Sequence, residues 1–470
     1  MKLTKIAGIV VAVLGVTAVG GSWYTGQQVE AKYQDLIQLG NNSLKQLAAY
    51  GITAEIKDVQ FQRHFFSSDV KYTLETQVDG QTYAFKGDDK LFHGPLPLNR
   101  LTKGNLSPVL ASIESKIQLP ENLKVYFEQQ ALLGKGQSDI SYSGASTAEF
   151  NINPIRLTDG SLAISKSNYI YEYDPATKKA EAEVKAENVK FVDSEKIETE
   201  IQGLRYQFDT VSDKQYPLLT LGKYSVDMTS LKISDNEAAP FTMLFNHLTS
   251  TGKSTLEKDR VISSGDAKAE IEMQVDNNKV KLGQFKMDVL VDMDAQGMND
   301  LTPYLSSPEK FESAEAGNVV QSIMMKSPKI EIKDLSFENG KGKNNLSLLL
   351  NLDKFDVNQM GSFDSILKIF RASYLDTKLN IASIEEFSSQ VTQLEGVSKE
   401  EADQQAKLTV EELINQAKAS TLAEVDNENI KMKLTIDQGK VNLNGRDVPK
   451  EEVEGALFIL MLGLGSMGMQ

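Results

Sequence analysis

Apolar side chains recur at every second residue through Ser161–Tyr173, Ala180–Val192, Ile197–Phe208 and Lys279–Met293. That period commits a chain to strands with one buried and one wet face, and so to antiparallel sheet covered on one side. Asp79-Gly80, Asp159-Gly160 and Asn339-Gly340 punctuate the runs as turn signals. A shorter pattern is laid over the alternation, with apolar residues at places 0, 3 and 5 around a small polar pair. It occurs at Ile56–Phe61, Ile201–Tyr206, Met228–Ile233 and Ile332–Phe337, and more weakly at Ala186–Phe191. One extra residue switches the face of a strand, so each unit predicts a β-bulge or a break at its polar pair. A longer echo sets Leu221-Gly222-Lys223-Tyr224 against Leu282-Gly283-Gln284-Phe285. True internal repetition competes here with echoes that any antiparallel protein produces. The fold class expected is α+β, mostly antiparallel β, with elongated, curved and bulged sheets and peripheral helices.

The helices cluster late. Pro240–Thr249 places Phe241, Leu244, Phe245 and Leu248 at helical spacing, and Ser307-Pro308 opens a helix that ends before Ser327-Pro328. Ile384–Leu394 reads as a third. Ser398 with Glu401 forms a capping box for a helix reaching about Ala419. A hairpin follows over Ile430–Ile436 and Lys440–Leu443; Asn444-Gly445 turns the chain and Pro449 opens a last helix. From Gly455 to Met469 that helix carries no charge, and Leu457, Phe458, Leu460 and Met461 are its candidate apolar contacts. Fifteen residues make about 22 Å of helix, short for a membrane span. A buried core helix, a partner or dimer contact, and insertion into lipid all remain open for it.

At the other end Lys2 and Lys5 precede an uncharged run from Ile6 to Val29, with Ile6, Val10 and Leu14 in its aliphatic core and Trp23 and Tyr24 where an interfacial aromatic belt belongs. The run is long enough to cross a hydrocarbon layer of about 30 Å. The lysines put the N-terminus in the cytoplasm and the bulk of the chain in the periplasm, giving a single-pass protein of the bacterial inner membrane. A cleaved signal peptide competes, because Ala18-Val19-Gly20 is an acceptable cleavage site. The helical spacing of Val29, Tyr33, Leu36 and Ile37 favours the anchor, continued outward as a stalk. The expected organisation is an anchor at 1–25, a stalk helix at 26–50, a curved β body at 51–380 and a C-terminal segment of helix, hairpin and apolar helix at 381–470.

Chemistry is scarce. The chain has no cysteine, three histidines and a net charge of −15. Disulfides, thiolate ligands and cysteine nucleophiles are therefore excluded, and the global field opposes nucleic acid. No nucleophile elbow, phosphate loop, dinucleotide fingerprint or zinc-protease motif occurs. Asp292–Gly297 matches the opening of a calcium loop, but the twelfth place falls on Pro303, so a capped strand-to-helix turn is the better reading. No catalytic residue, metal ligand or cofactor site is assigned.

Two constellations remain. Arg63-His64-Phe65-Phe66-Ser67-Ser68 follows the first bulge unit, and His93-Gly94-Pro95-Leu96-Pro97 forces a rigid, extended bend. The simplest role for both is structural: the phenylalanines anchor the first strands and the prolines make a corner. With Arg63, Ser67, His93, Gly94, Pro95 and Pro97, and with Asn444-Gly445 before Pro449, the sequence resembles the YdgA-like proteins of Gram-negative bacteria. Their domain of unknown function runs over nearly the whole length. The resemblance implies an inner-membrane protein with a large periplasmic part, leaves a homodimer open, and supplies no catalytic residue. Two functional classes follow. One is a non-enzymatic envelope protein that binds or handles lipid, or an acylated partner, on an apolar concave β face. The other is an assembly module of the envelope acting through self-association or docking.

Overall fold

The computed structural model describes residues 52–78, 81–124, 131–193, 195–235, 240–306, 308–356, 363–420 and 422–449, together with Asn41, Leu44 and Glu452. The expected anchor with Lys2, Lys5, Ile6, Val10, Leu14, Trp23 and Tyr24 lies outside the described residues, as does the apolar tail with Leu457, Phe458, Leu460 and Met461. Of the stalk, Asn41 and Leu44 are described, and both are helical. Among the described residues no helix is long and apolar enough to cross a membrane. The chain forms two compact units, Met1–Asp213 with Gly222–Glu237, and Lys214–Leu221 with Ala238–Gln470.

The first unit runs β1 (Ile52–Arg63), β2 (Ser67–Val78), β3 (Gln81–His93), α1 (Leu98–Leu101), β4 (Ala111–Gln118), α2 (Glu121–Lys124), β5 (Leu132–Ile140) and β6 (Ser146–Ile152). It continues through β7 (Ile155–Arg156), β8 (Leu162–Ile164), β9 (Ser167–Asp174), β10 (Lys179–Val192), β11 (Glu198–Ser212) and most of β12 (Thr220–Asp235). Strands β1 to β6 pair antiparallel in sequence order, then β6 pairs β9, β9 pairs β10 and β10 pairs β11. Strand β8 prolongs β9 along the same edge of β10. One face closes into a dry core of Leu74, Phe85, Ile117, Leu123 and Phe150, reached also by Leu44. Each such side chain, fully buried, contributes about 1.5–3 kcal/mol. On the outer edge, the Asn41 side chain bonds both Ile56 N and Ile56 O, satisfying backbone groups that an edge strand leaves open.

The second unit runs β13 (Phe241–Glu257), β14 (Arg260–Val275), β15 (Asn278–Asp294), α3 (Ala295–Leu301), a 3₁₀ turn, α4 (Pro308–Phe311), α5 (Ala314–Met324), β16 (Lys329–Asn339) and β17 (Gly342–Asn351). After α6 (Phe363–Lys368) and β18 (Ser373–Asn380) come α7 (Ile381–Leu394), α8 (Lys399–Ala419), β19 (Glu424–Val425), β20 (Asn429–Asp437), β21 (Lys440–Leu443) and β22 (Arg446–Asp447). Strands β13 to β18 pair in sequence, β18 pairs β20, and the other edge of β20 takes β19 and β21. The mostly antiparallel α+β class is therefore as expected.

Several bulges fall where the 0-3-5 pattern puts them. Register shifts occur at Lys57/Gln60, with Asp58 at φ 53°, and at Ile332/Leu335. In the latter, Leu335, Phe337 and Ile332 pair with Leu346, Asn344 and Leu348, so the extra residue keeps the apolar places on one face. At Ile201–Tyr206 the register with β10 is unbroken, because that pattern lies opposite the weaker copy in β10; Gly203 takes a left-handed φ of 63°. The Leu-Gly echo has a physical basis as well. Gly222 and Gly283 have φ of 134° and 149°, and a Cβ on either would run into a neighbouring strand's carbonyl oxygen, that of Asp209 or Glu338.

The helices at α7 and α8 form as expected, α8 with Ser398 accepting a hydrogen bond from Glu401 N. Asp294 caps α3 through Gly297 N, and Asp292 is held by Arg260, which accounts for the calcium-like sequence. Two expectations are revised: the helix opened at Pro308 is broken at Ser313, which caps α5 and separates it from α4, and Pro240–Thr249 is not a helix but the start of β13. A bulge at Asn246/Thr249, with His247 at φ 50°, changes the strand's parity there and reproduces a helix-like spacing of apolar residues.

Candidate functional site

The two sequence constellations meet at one end of the first unit's sheet. The pairs Arg63–Ser68, Ser67–Phe92, His93–Ala111, Ala111–Ile140 and Ile140–Ser146 form one row across β1 to β6. Arg63, Ser67, His93, Gly94, Pro95 and Pro97 thus share that end, whereas Asn444 and Gly445 turn the β21–β22 hairpin of the second unit. There the Asn444 side chain bonds Lys433 N and Leu422 O.

His93 is braced from two sides. Its backbone N–H donates to Phe66 O at 3.0 Å, and its Nε2 shares a 2.7 Å hydrogen bond with the hydroxyl of Ser68. Burial, and then the Arg63 charge, hold the imidazole below its usual range, so it is neutral at pH 7. Ser68 is sealed from solvent, so the pair ties β2 to β3 and offers no nucleophile. Gly94 follows at φ 95° in open space; the conformation, not crowding, requires glycine. Pro97 then opens α1, and Arg100, 5% exposed, enters the opposite face of the sheet to pair with Asp139. Asp139 also accepts from Ser112, which accepts from Asn99. Nothing in the sequence joins these four residues.

The second place is a cleft of about 530 Å³ in the second unit, between the sheet and α7–α8. Met243, Ile271, Leu282 and Phe337 form its floor, and Phe387 and Leu413 its roof, with Asn344 the one polar lining residue. The ring of Phe387 meets that of Phe337 edge-on at 5.5 Å. A polar clamp sets the height of the roof. Asn380 caps α7 through Ser383 N, Asn344 bonds Asn380 N and Ser383 Oγ, and Asn339 bonds Ser383 O. A buried alanine stripe, Ala402 and Ala406 followed by Val410, lets α8 pack closely on α7. Asn344 spends its polar atoms on the clamp, so the cleft presents hydrocarbon. Among the described residues no group of three or more His, Asp or Glu is placed to hold a metal ion.

Fold and site define a class: an antiparallel β protein with bulged strands and an apolar cleft. The chain belongs to the DUF945 family of bacterial proteins of unknown function, whose match spans residues 1–451. It is 26% identical to Protein YdgA of Escherichia coli K12, over 97% of this chain and 96% of that one. An uncharacterized protein YihF of the same organism is 20% identical over 96% of this chain and 98% of its own. An uncharacterized protein of Haemophilus influenzae is 30% identical over 27% of this chain and 35% of its own. The resemblance drawn from the motif residues is thus correct. No solved structure matches the chain.

Proposed function

We propose that this protein is a non-catalytic, membrane-anchored component of the bacterial envelope, with its bulk in the periplasm, whose second unit holds an acyl chain in the cleft under α7–α8. One observation carries the reading. The cleft is of a size ordinary for small-ligand sites, and its lining is almost wholly aliphatic and aromatic, with its single polar side chain already committed to the clamp. Such a site selects hydrocarbon by excluding groups that need hydrogen bonds. The lysine-flanked apolar N-terminal run supports placement at a membrane, where acyl chains are at hand. The test is native mass spectrometry of the full chain released from detergent. A lipid or fatty-acid adduct should survive, and Ile271→Phe with Leu379→Phe, which fill the cleft with apolar volume, should remove it. Consistent absence of an adduct from the parent protein defeats the reading.

The assembly reading has its own observation: Leu408 on α8 is exposed, as are Val391 and Leu413. If α8 is a docking helix, Leu408→Glu lowers the mass seen by light scattering; an unchanged mass removes the idea.

A further inference from the structure

The row that gathers the motif residues also gathers exposed apolar side chains. Phe65 (87% exposed) and Phe66 (62%) tip the β1–β2 turn; Leu96, Leu98 and Leu106 (70%) lie in the β3–β4 connection; Tyr142 tips the β5–β6 turn. Scattered singly, exposed apolar residues need no account, but six along one sheet end form a patch. The patch is rigidly presented. The Phe65 and Phe66 rings lock edge-on at 4.4 Å, His93 N holds Phe66 O, and the connection bearing the leucines is pinned by Pro97 and the buried Arg100–Asp139 pair. Side chains held this way lose little further entropy on docking.

Charge says what covers the patch. The chain carries 65 Asp and Glu in 470 residues, yet the three stretches that build this end, 61–68, 93–112 and 141–148, contain none. They contain Arg63, Arg100 and Lys103 instead. Neighbouring strands meet part of that charge: Asp139 takes Arg100, and Glu114 stands 4.0 Å from Lys103. An aromatic and aliphatic tip flanked by cations, on a molecule of net charge −15, suits a surface that is negative outside and hydrocarbon beneath. We propose that this end of the first unit docks into an anionic phospholipid bilayer, with Phe65 and Phe66 entering the headgroup–acyl boundary and Arg63 and Lys103 facing lipid phosphate. Chain entry at Ile52 is at the opposite end of β1, about 40 Å away by strand rise.

The absence of cysteine makes the test clean. Phe66→Cys, and as control Thr82→Cys at the far end of the sheet, are each labelled with an environment-sensitive dye in the full chain, held in zwitterionic nanodiscs. Vesicles containing phosphatidylglycerol and a spin-labelled lipid quencher are then added. The dye at position 66 should shift to the blue and lose at least half its intensity, while the dye at 82 stays unchanged and pure phosphatidylcholine vesicles give a much weaker response. Arg63→Glu with Lys103→Glu, both at exposed sites, should abolish the effect with the melting temperature kept. The proposal is overturned by silence at position 66, by an equal response at 82, by an equal response to neutral vesicles, or by insensitivity to the charge reversal. A position-66 response that rises with protein concentration in the absence of vesicles overturns it in favour of a second copy of the chain.

Discussion

The two units use the same alternating strands and end with different interiors. In the first, Leu74, Phe85, Ile117 and Phe150 are completely buried, while in the second Met243, Ile271 and Phe337, on the corresponding apolar face, keep part of their surface open and line a cleft. Connection length explains the contrast. The first unit has strands of 7–13 residues over β1 to β6, and its long excursions at 94–110 and 153–166, with α2, bring Leu110, Leu123, Ile155 and Leu157 back over the sheet. In the second unit β13, β14 and β15 have 16–17 residues, about 55 Å each, joined by tight turns at Glu257–Arg260 and Val275–Asn278. Tyr216, Leu219, Leu221 and Ala295 cover only the end of these strands around Leu256 and Val261, and the stretch around Met243 and Ile271 waits for α7. Alternation therefore decides which face is apolar, and the connections decide whether that face becomes a core or a cleft.

The largest effect expected is the sharpest test of that contrast. Phe150→Ala removes a completely buried ring from a filled core and should cost about 3–5 kcal/mol. Phe337→Ala removes a ring whose surroundings are already partly open, and should cost about 1–2 kcal/mol because little new cavity is made. Urea unfolding followed by peptide-resolved hydrogen exchange reads the two units separately. Equal costs would mean that the second unit's face is packed as tightly as the first unit's core.

Much of this was legible in advance where one physical cause acted locally. The capping of α8 by Ser398, the bulges at Asp58 and at Lys333–Asp334, and the turn at Asn444-Gly445 each depend on residues within a few places of one another. The site was legible only as motif residues without partners. Arg100 finds Asp139 thirty-nine residues away, and Asn344 finds Ser383 thirty-nine away, because strand register brings them together, and a single sequence states no register. The misread stretch at Pro240 shows the same limit from the other side: a bulge changes the period, so Phe241, Leu244, Phe245 and Leu248 imitate a helix.

The next effect marks a flaw in the filled core. Asp89 lies on the face that carries Phe85 and Leu91, between two apolar clusters, and its Oδ1 is buried without a hydrogen-bond partner. Burial pushes its carboxyl up to about 7, although a hydrogen bond from Ser115 pulls the other way. Unfolded, the group titrates near 4. Between those values the folded chain holds a proton that the unfolded chain has lost, so this group's stabilising contribution is complete below pH 4 and declines as pH rises to about 7. Asp89→Asn keeps the shape without the charge. The difference in stability between variant and parent should be near zero at pH 4 and grow to at most about 4 kcal/mol in favour of the variant at pH 8. A difference that does not change with pH would mean that water reaches this part of the core, and the contrast between the units would weaken.

The smallest effect concerns the roof of the cleft. Helix α8 starts at Ser398, whose hydroxyl accepts from Glu401 N at 3.3 Å, and it is tied to α7 by the Ser389–Asp403 hydrogen bond at 2.6 Å. Ser398→Ala leaves that amide to water and should cost about 1 kcal/mol, a factor of roughly five in local opening. Because α7 and α8 close the cleft while the sheet beneath stands on its own ladder, the loss should stay local. Amides of the first turns of α8 should exchange about fivefold faster, those of β14 and β15 should keep their rates, and those of β5 and β6 in the first unit should not respond. If β14 and β15 speed up together with α8, roof and floor open as one body. The second unit would then have a cooperative core like the first, and its cleft could not admit a guest without unfolding the sheet that forms it.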